Sequence, residues 1–180
     1  TGIEDFTALS GLACSSNQLT SLDLSQNTTL TTLFCIQNQL TSIDISQNTD
    51  LTALVCFSNQ LTSLDVSQNI NLESVECGYN QLTSLDVSQN SALTALFCSV
   101  NQLTCLNVNN GNNVNVMAYN WSNNPSLTCI EVDDVAYATA NWTLDPGVTF
   151  STNCNNACSS IGIEEYSSQP KKLLLILDLL

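Results

Sequence analysis

Residues 30–50 read Leu30-Thr31-Thr32-Leu33-Phe34-Cys35-Ile36-Gln37-Asn38-Gln39-Leu40, then Thr41-Ser42-Ile43-Asp44-Ile45-Ser46-Gln47-Asn48-Thr49-Asp50. The phrase recurs on both sides of this stretch. Leu9, Leu30, Leu51, Leu72 and Leu93 stand 21 residues apart, and the match runs through every position of the unit. The fourth position is Leu12, Leu33, Leu54, Val75 and Leu96, and the sixth is Cys14, Cys35, Cys56, Cys77 and Cys98. The ninth is Asn17, Asn38, Asn59, Asn80 and Asn101; the eleventh is Leu19, Leu40, Leu61, Leu82 and Leu103. Two more apolar columns follow, Leu22-Ile43-Leu64-Leu85-Leu106 and Leu24-Ile45-Val66-Val87-Val108, then a second Asn column at Asn27, Asn48, Asn69 and Asn90. One such unit cannot bury its own apolar side, so the units must stack as turns of a coil. Successive strands then lie ~4.8 Å apart. The apolar columns become continuous inner rows. An inward Asn needs partners, because a buried unpaired amide costs ~1–3 kcal/mol. Stacked Asn side chains find them on the backbones of adjacent turns. The Ser, Thr, Asn and β-branched content favours short strands and turns over helix.

The columns resemble the leucine-rich-repeat pattern L-x-x-L-x-L-x-x-N-x-L, with Cys in place of one Leu. Their spacing and Cys column are similar to the cysteine-ladder internalins, and the L-T-S-L-D-V-S-Q-N segments to repeats of secreted Bacteroidetes surface proteins. The resemblance covers residues 1–132. It implies a mainly β, right-handed solenoid with one short parallel strand per turn. The opposite side is expected to carry tight turns or short extended pieces.

Both ends depart from the repeat. Residues 1–9 carry Ile3 and Phe6 at inward positions and read as the tail of an earlier turn, with upstream repeats or a cap expected before it. After Val108, Asn109-Asn110-Gly111-Asn112-Asn113 inserts a polar loop. Beyond it Met117 is assigned to the Leu column and Tyr119 to the Cys column, and Leu127–Val132 restarts the phrase. Residues 133–158 read as a cap: a short helix from Asp133 to Trp142 with Asp133 as N-cap, a turn at Pro146-Gly147, and a strand at 148–150. Residues 159–180, S-S-I-G-I-E-E-Y-S-S-Q-P-K-K-L-L-L-I-L-D-L-L, resemble the start of the C-terminal sorting region of Bacteroidetes proteins exported by the type IX system. That resemblance implies an extracellular or surface-attached protein. The alternative is a terminal apolar strand docked on the cap or on a neighbouring chain.

Charge narrows the function. Sixteen acidic residues face two basic ones, Lys171 and Lys172, for a net charge of -14. Nucleic acid is excluded, since phosphate contacts need Lys and Arg, and anionic membrane surfaces are equally disfavoured. No apolar run reaches the ~18 residues of a membrane helix. The chain has no His, the commonest general base and metal ligand. No pair of carboxylates in split environments and no glycine-rich phosphate loop is present. An enzyme, a cofactor and a metal site are therefore not expected.

The chain has nine cysteines. Those of the sixth column are read as buried free thiols, packing as small apolar groups. Of the others, Cys129 and Cys154 flank the cap, and a bond between them would staple it in an oxidising compartment. The rival is Cys105 with Cys129, which occupy matching positions in successive turns. Spacing alone leaves connectivity open.

Variation inside the chain points to a binding face. The fifth position reads Ala13, Phe34, Val55, Glu76, Phe97, Ala118; the seventh Ser15, Ile36, Phe57, Gly78, Ser99, Asn120; the eighth Ser16, Gln37, Ser58, Tyr79, Val100, Trp121. Strand side chains alternate in and out, and in a leucine-rich repeat these positions line the concave face. Phe34, Ile36, Val55, Phe57 and Phe97 are thus expected to face solvent together, with Tyr79, Val100 and Trp121 on one flank and Glu76 supplying polar selection. Such apolar patches mark interaction surfaces, and aromatic residues anchor them. The expected partner is a protein or a polysaccharide, with self-association as an alternative; a structural spacer in a larger surface protein is the competing role. Two outer arrays carry lesser readings. Asp23, Asp44, Asp65 and Asp86 bond nearby turn amides or hold calcium. The column Thr20, Thr41, Thr62, Thr83 and Thr104 suits strand backbone or an ice-like lattice.

Overall fold

The computed structural model describes residues 2–155 and 158. Residues 159–180, with their likeness to a sorting region, lie outside the described residues. The chain forms β1 (Gly11–Ala13), β2 (Thr32–Phe34), β3 (Ala53–Val55), β4 (Ser74–Glu76), β5 (Ser84–Asp86), β6 (Ala95–Phe97), β7 (Cys105–Asn107), β8 (Ala118–Asn120), β9 (Cys129–Glu131), helix α1 (Val135–Asn141) and β10 (Thr149–Ser151). Every strand is three residues long and every pairing is parallel. The larger sheet runs β1-β2-β3-β4-β6-β8; the smaller runs β10-β9-β7-β5. Each of the first six turns supplies one strand to the larger sheet, as expected. The smaller sheet adds to that expectation: toward the C-terminal end, Ser84–Asp86, Cys105–Asn107, Cys129–Glu131 and Thr149–Ser151 on the opposite side also pair as strands.

The strands stay short because a corner follows at once. The eighth position adopts left-handed backbone in turn after turn: Ser16, Gln37, Ser58, Tyr79, Val100 and Asn123 have φ between 53° and 59°. Side chains with Cβ pay for this conformation, and only Gly, Asn and Asp visit it readily. Val100, β-branched at φ 55°, is the most strained of them. Asn123 shows which residue suits the position one turn later. Val100→Asn is expected to raise unfolding stability by about 1 kcal/mol, read as a higher urea midpoint at unchanged slope. A lower midpoint would mean that the packing of the valine outweighs the backbone strain.

The core is the set of stacked columns. Leu33, Leu54, Val75 and Leu96 are fully buried, as are Cys35, Cys56, Cys77 and Cys98. The five column thiols are unbonded. Burial pushes the Cys35 and Cys98 thiols up to about 12 and raises Cys56 and Cys77 well above the usual thiol range; Cys14, half-buried at the first turn, is also raised. Protonated and enclosed, Cys35, Cys56, Cys77 and Cys98 act as packing groups and not as nucleophiles.

Both Asn columns bond between turns. Asn38, Asn59, Asn80 and Asn101 each donate from Nδ2 to the Cys carbonyls of their own and the preceding turn. Each Oδ1 accepts the N–H of Leu19, Leu40, Leu61 and Leu82 in the turn before. In the second column Asn48, Asn69 and Asn90 each donate to two carbonyls of the preceding turn, while their Oδ1 atoms are buried without a hydrogen-bond partner among the described residues. Asn27 donates to the carbonyls of Ile3 and Phe6, which stand where Leu24 and Asn27 stand for the next turn. The opening residues thus supply the corner of a preceding turn.

The C-terminal end departs from the expected register. Tyr119 pairs with Leu96 and so occupies the Leu column, while Met117 is 80% exposed and Val116 is buried in its stead. Trp121, not Tyr119, takes the Cys column, because the polar loop lengthens this turn by two residues. The helix N-cap is also one residue later than expected: Asp134, not Asp133, accepts the N–H groups of Ala136 and Tyr137. Asp133 instead clamps the polar loop, accepting from Gly111 and Asn113. Helix α1 delivers Trp142 onto the open end of the core. Its ring lies 5.8 Å from Tyr119, 5.2 Å from Trp121, 6.2 Å from Tyr137 and 5.9 Å from Phe150. Cys129 is joined to Cys154, and Cys105 to Cys158, so the pairing of Cys105 with Cys129 does not form. The two bonds close chain separations of 25 and 53 residues, tying the last segment to β9 and β7. Among the described residues, no helix is long and apolar enough to cross a membrane.

Candidate binding face

The outward positions of the larger sheet form one continuous surface. Register places Phe34, Val55, Glu76 and Phe97 in a single row across four strands. The next outward row holds Ile36, Phe57, Gly78 and Ser99. Backbone bonds continue the ladder here, from Gln37 N–H to Phe57, Ser58 N–H to Gly78 and Tyr79 N–H to Ser99. Phe34 is 38% exposed and Tyr79 54%; Ile36, Phe57, Glu76, Phe97 and Val100 are half-buried. Tyr79 meets Phe57 edge-on, with ring centroids 5.4 Å apart.

Two of the expected face residues do not reach solvent. Val55 is only 7% exposed. It lies between Phe34 and Glu76, and these longer side chains shade it. Trp121 is 4% exposed and stacks on Tyr119 at 4.4 Å, its Nε1 donating to the Thr143 carbonyl. It is a core residue of the cap, not a flank of the face. The outward positions of that turn are Asn120 and Ser122, where Ala118 and Asn120 were expected. Counting back from Asn124, whose Oδ1 accepts the Leu103 N–H as the other ninth-position Asn residues do, recovers the correct register.

The outer side is grooved but structurally occupied. A cavity of about 590 Å³ is lined by Ser63, Asp65, Gln68, Ser84, Asp86 and Cys158 among others. Smaller grooves repeat along the preceding turns. Asp23, Asp44, Asp65 and Asp86 each accept the N–H of the serine two residues on. These backbone bonds hold the Asp23 and Asp44 carboxyls below the usual carboxylate range. The aspartate column therefore has a turn-forming role. Among the described residues, no group of His, Cys, Asp or Glu is arranged to hold a metal ion.

No known family pattern matches the chain, and no curated protein does. Solved structures do. The functional domain of InlJ from Listeria monocytogenes, which includes a cysteine ladder, is 30% identical with a TM-score of 0.66, over 83% of this chain and 35% of that one. A leucine-rich-repeat protein of Leptospira interrogans is 22% identical with a TM-score of 0.56, over 72% and 40%. The internalin InlF of Listeria monocytogenes is 19% identical with a TM-score of 0.52, over 86% and 50%. The fold is a leucine-rich-repeat solenoid with a cysteine ladder. The chain spans between about a third and a half of the length of these proteins. In this leucine-rich-repeat frame, the outward positions of the strand face change from turn to turn.

Proposed function

We propose that the chain is an extracellular or surface-attached interaction module that binds a protein or polysaccharide partner on the face of its larger sheet. The observation that carries this reading is the contrast between columns. Inward positions repeat with little change, while Phe34, Ile36, Phe57, Glu76, Tyr79 and Phe97 vary turn by turn on one continuous apolar surface. A stacked coil is rigid, so little ordering is required on binding. The two cap disulfides fit an oxidising compartment. Likeness to two internalins supports the interaction role.

The test is a screen of the purified chain against arrayed cell-surface proteins and glycans, beside a Phe34→Ser/Phe57→Ser/Phe97→Ser variant. A ligand whose affinity falls more than about 30-fold in a variant of unchanged circular dichroism is expected, since anchor residues contribute about 2 kcal/mol or more each. Undiminished binding by the folded variant would remove the strand face from the function and favour a spacer or the outer groove.

A further inference from the structure

Glu76 is the one charged residue among the outward third, fifth and seventh positions of turns 1–6, from Gly11 to Ser122. Register sets it between Val55 and Phe97, so it is framed by apolar neighbours, and the residue is half-buried. No hydrogen bond or ion pair from the described residues engages that carboxylate. The chain's two cations, Lys171 and Lys172, both lie far along the sequence from the repeats. The next outward position of the same turn, Gly78, carries no side chain, whereas its row neighbours are Phe57 and Ser99. The glycine backbone is packed so closely that a Cβ would lie 3.0 Å from the Ser99 carbonyl oxygen. Beside Glu76 the face therefore dips, and the Phe57 and Tyr79 rings, edge to face, stand at the margin of the dip.

We propose that this face selects a protein partner presenting a lysine or arginine flanked by apolar residues. The cation seats against Glu76 and the aromatic rings of Phe57, Tyr79 and Phe97 pack around it. The proposal rests on the reading of the strand face as the binding face and names the chemistry of its partner. A neutral partner would cover the carboxylate without compensating it, which is costly. A cationic one replaces the lost hydration with a charge-assisted hydrogen bond and gains attraction to the ring faces. The net charge of -14 steers a basic partner toward the chain and repels acidic proteins and anionic glycans.

The experiment is selection of a random 12-residue peptide display library on the whole chain at about 0.15 M salt, where exposed charges are screened beyond ~8 Å. Selected peptides are then measured against Glu76→Gln, against Phe34→Ser/Tyr79→Ser, and against Asp65→Asn on the outer side. The substituted aromatic pair comprises the most exposed rings of the face, so folding is retained. Expected are peptides with a Lys or Arg between apolar residues, weakened at least 10-fold by Glu76→Gln and by the aromatic pair, and unaffected by Asp65→Asn. Peptides lacking a basic residue that the aromatic pair still weakens would overturn the cationic partner and leave the binding face standing. Peptides indifferent to the aromatic pair would overturn both. Basic peptides weakened by Asp65→Asn but not by Glu76→Gln would show only general attraction to an acidic chain, and would also overturn the proposal.

Discussion

Trp142→Ala is expected to lower the unfolding free energy by about 3–5 kcal/mol, the range for removing a large buried aromatic ring. The residue is 6% exposed, touches four other rings, and donates from Nε1 to the Val116 carbonyl. Position makes the loss worse than its area. A solenoid is held by nearest-neighbour interfaces, and its terminal units must shield the last apolar layer. Without the indole, Tyr119, Trp121 and Phe150 face a cavity, and the last turns lose their cover. Hydrogen exchange should locate the damage. Amides of β8 and β9 should lose protection first, while those of β2 and β3 keep it. A cost below about 1 kcal/mol, or an even loss of protection along the coil, would show that the disulfides alone hold the cap.

Asn80→Ala is expected to cost about 3–5 kcal/mol in urea unfolding, as much as a large core deletion. The carboxamide is buried and makes four bonds. Nδ2 donates to the carbonyls of Cys56, Cys77 and Gly78 at 3.1, 3.0 and 3.2 Å, and Oδ1 accepts the Leu61 N–H at 2.9 Å. Alanine orphans the Leu61 N–H, at about 1–3 kcal/mol, and removes three further bonds at about 1 kcal/mol each. The Cys56, Cys77 and Gly78 carbonyls keep their second donors, Asn59, Asn101 and Ser58. The same substitution at Asn69 removes two bonds and orphans no donor, so its cost should be smaller. The exposed Gln81→Ala, next in sequence, should stay within about 0.5 kcal/mol. If Asn69 proved the costlier site, the ninth-position column would not be the main polar tie between turns.

Much of this was legible before any coordinates. The Leu, Cys and Asn columns gave the coil, its core and its bonding between turns, because a strict period forces equivalent residues into equivalent surroundings. Of the two readings of the aspartate column, turn-forming or calcium-holding, the first matches the bonds that its carboxylates accept from the serine N–H groups. Legibility failed where the period failed. After Val108 the polar loop adds two residues, and counting forward through it misplaced Met117, Tyr119 and Trp121. The shift from Asp133 to Asp134 at the helix start has the same root: two adjacent aspartates compete, and the loop amides of Gly111 and Asn113 claim the first.

Sequence alone thus determined that the chain stacks, which residues face inward in the regular turns, and which outward positions vary. Tertiary structure decided what the period does not encode. It set the partners of Cys105 and Cys129, because disulfide choice depends on where the cap lands in space. It formed a second sheet only toward the C-terminal end. It turned Trp121 inward, because the polar loop shifts that turn by two residues. It buried Val55 while leaving Tyr79 and Phe34 at the surface, because the exposure of an outward residue depends on the size of the side chains one turn above and below. A column gives a side chain its direction, and only its neighbours decide whether it reaches water.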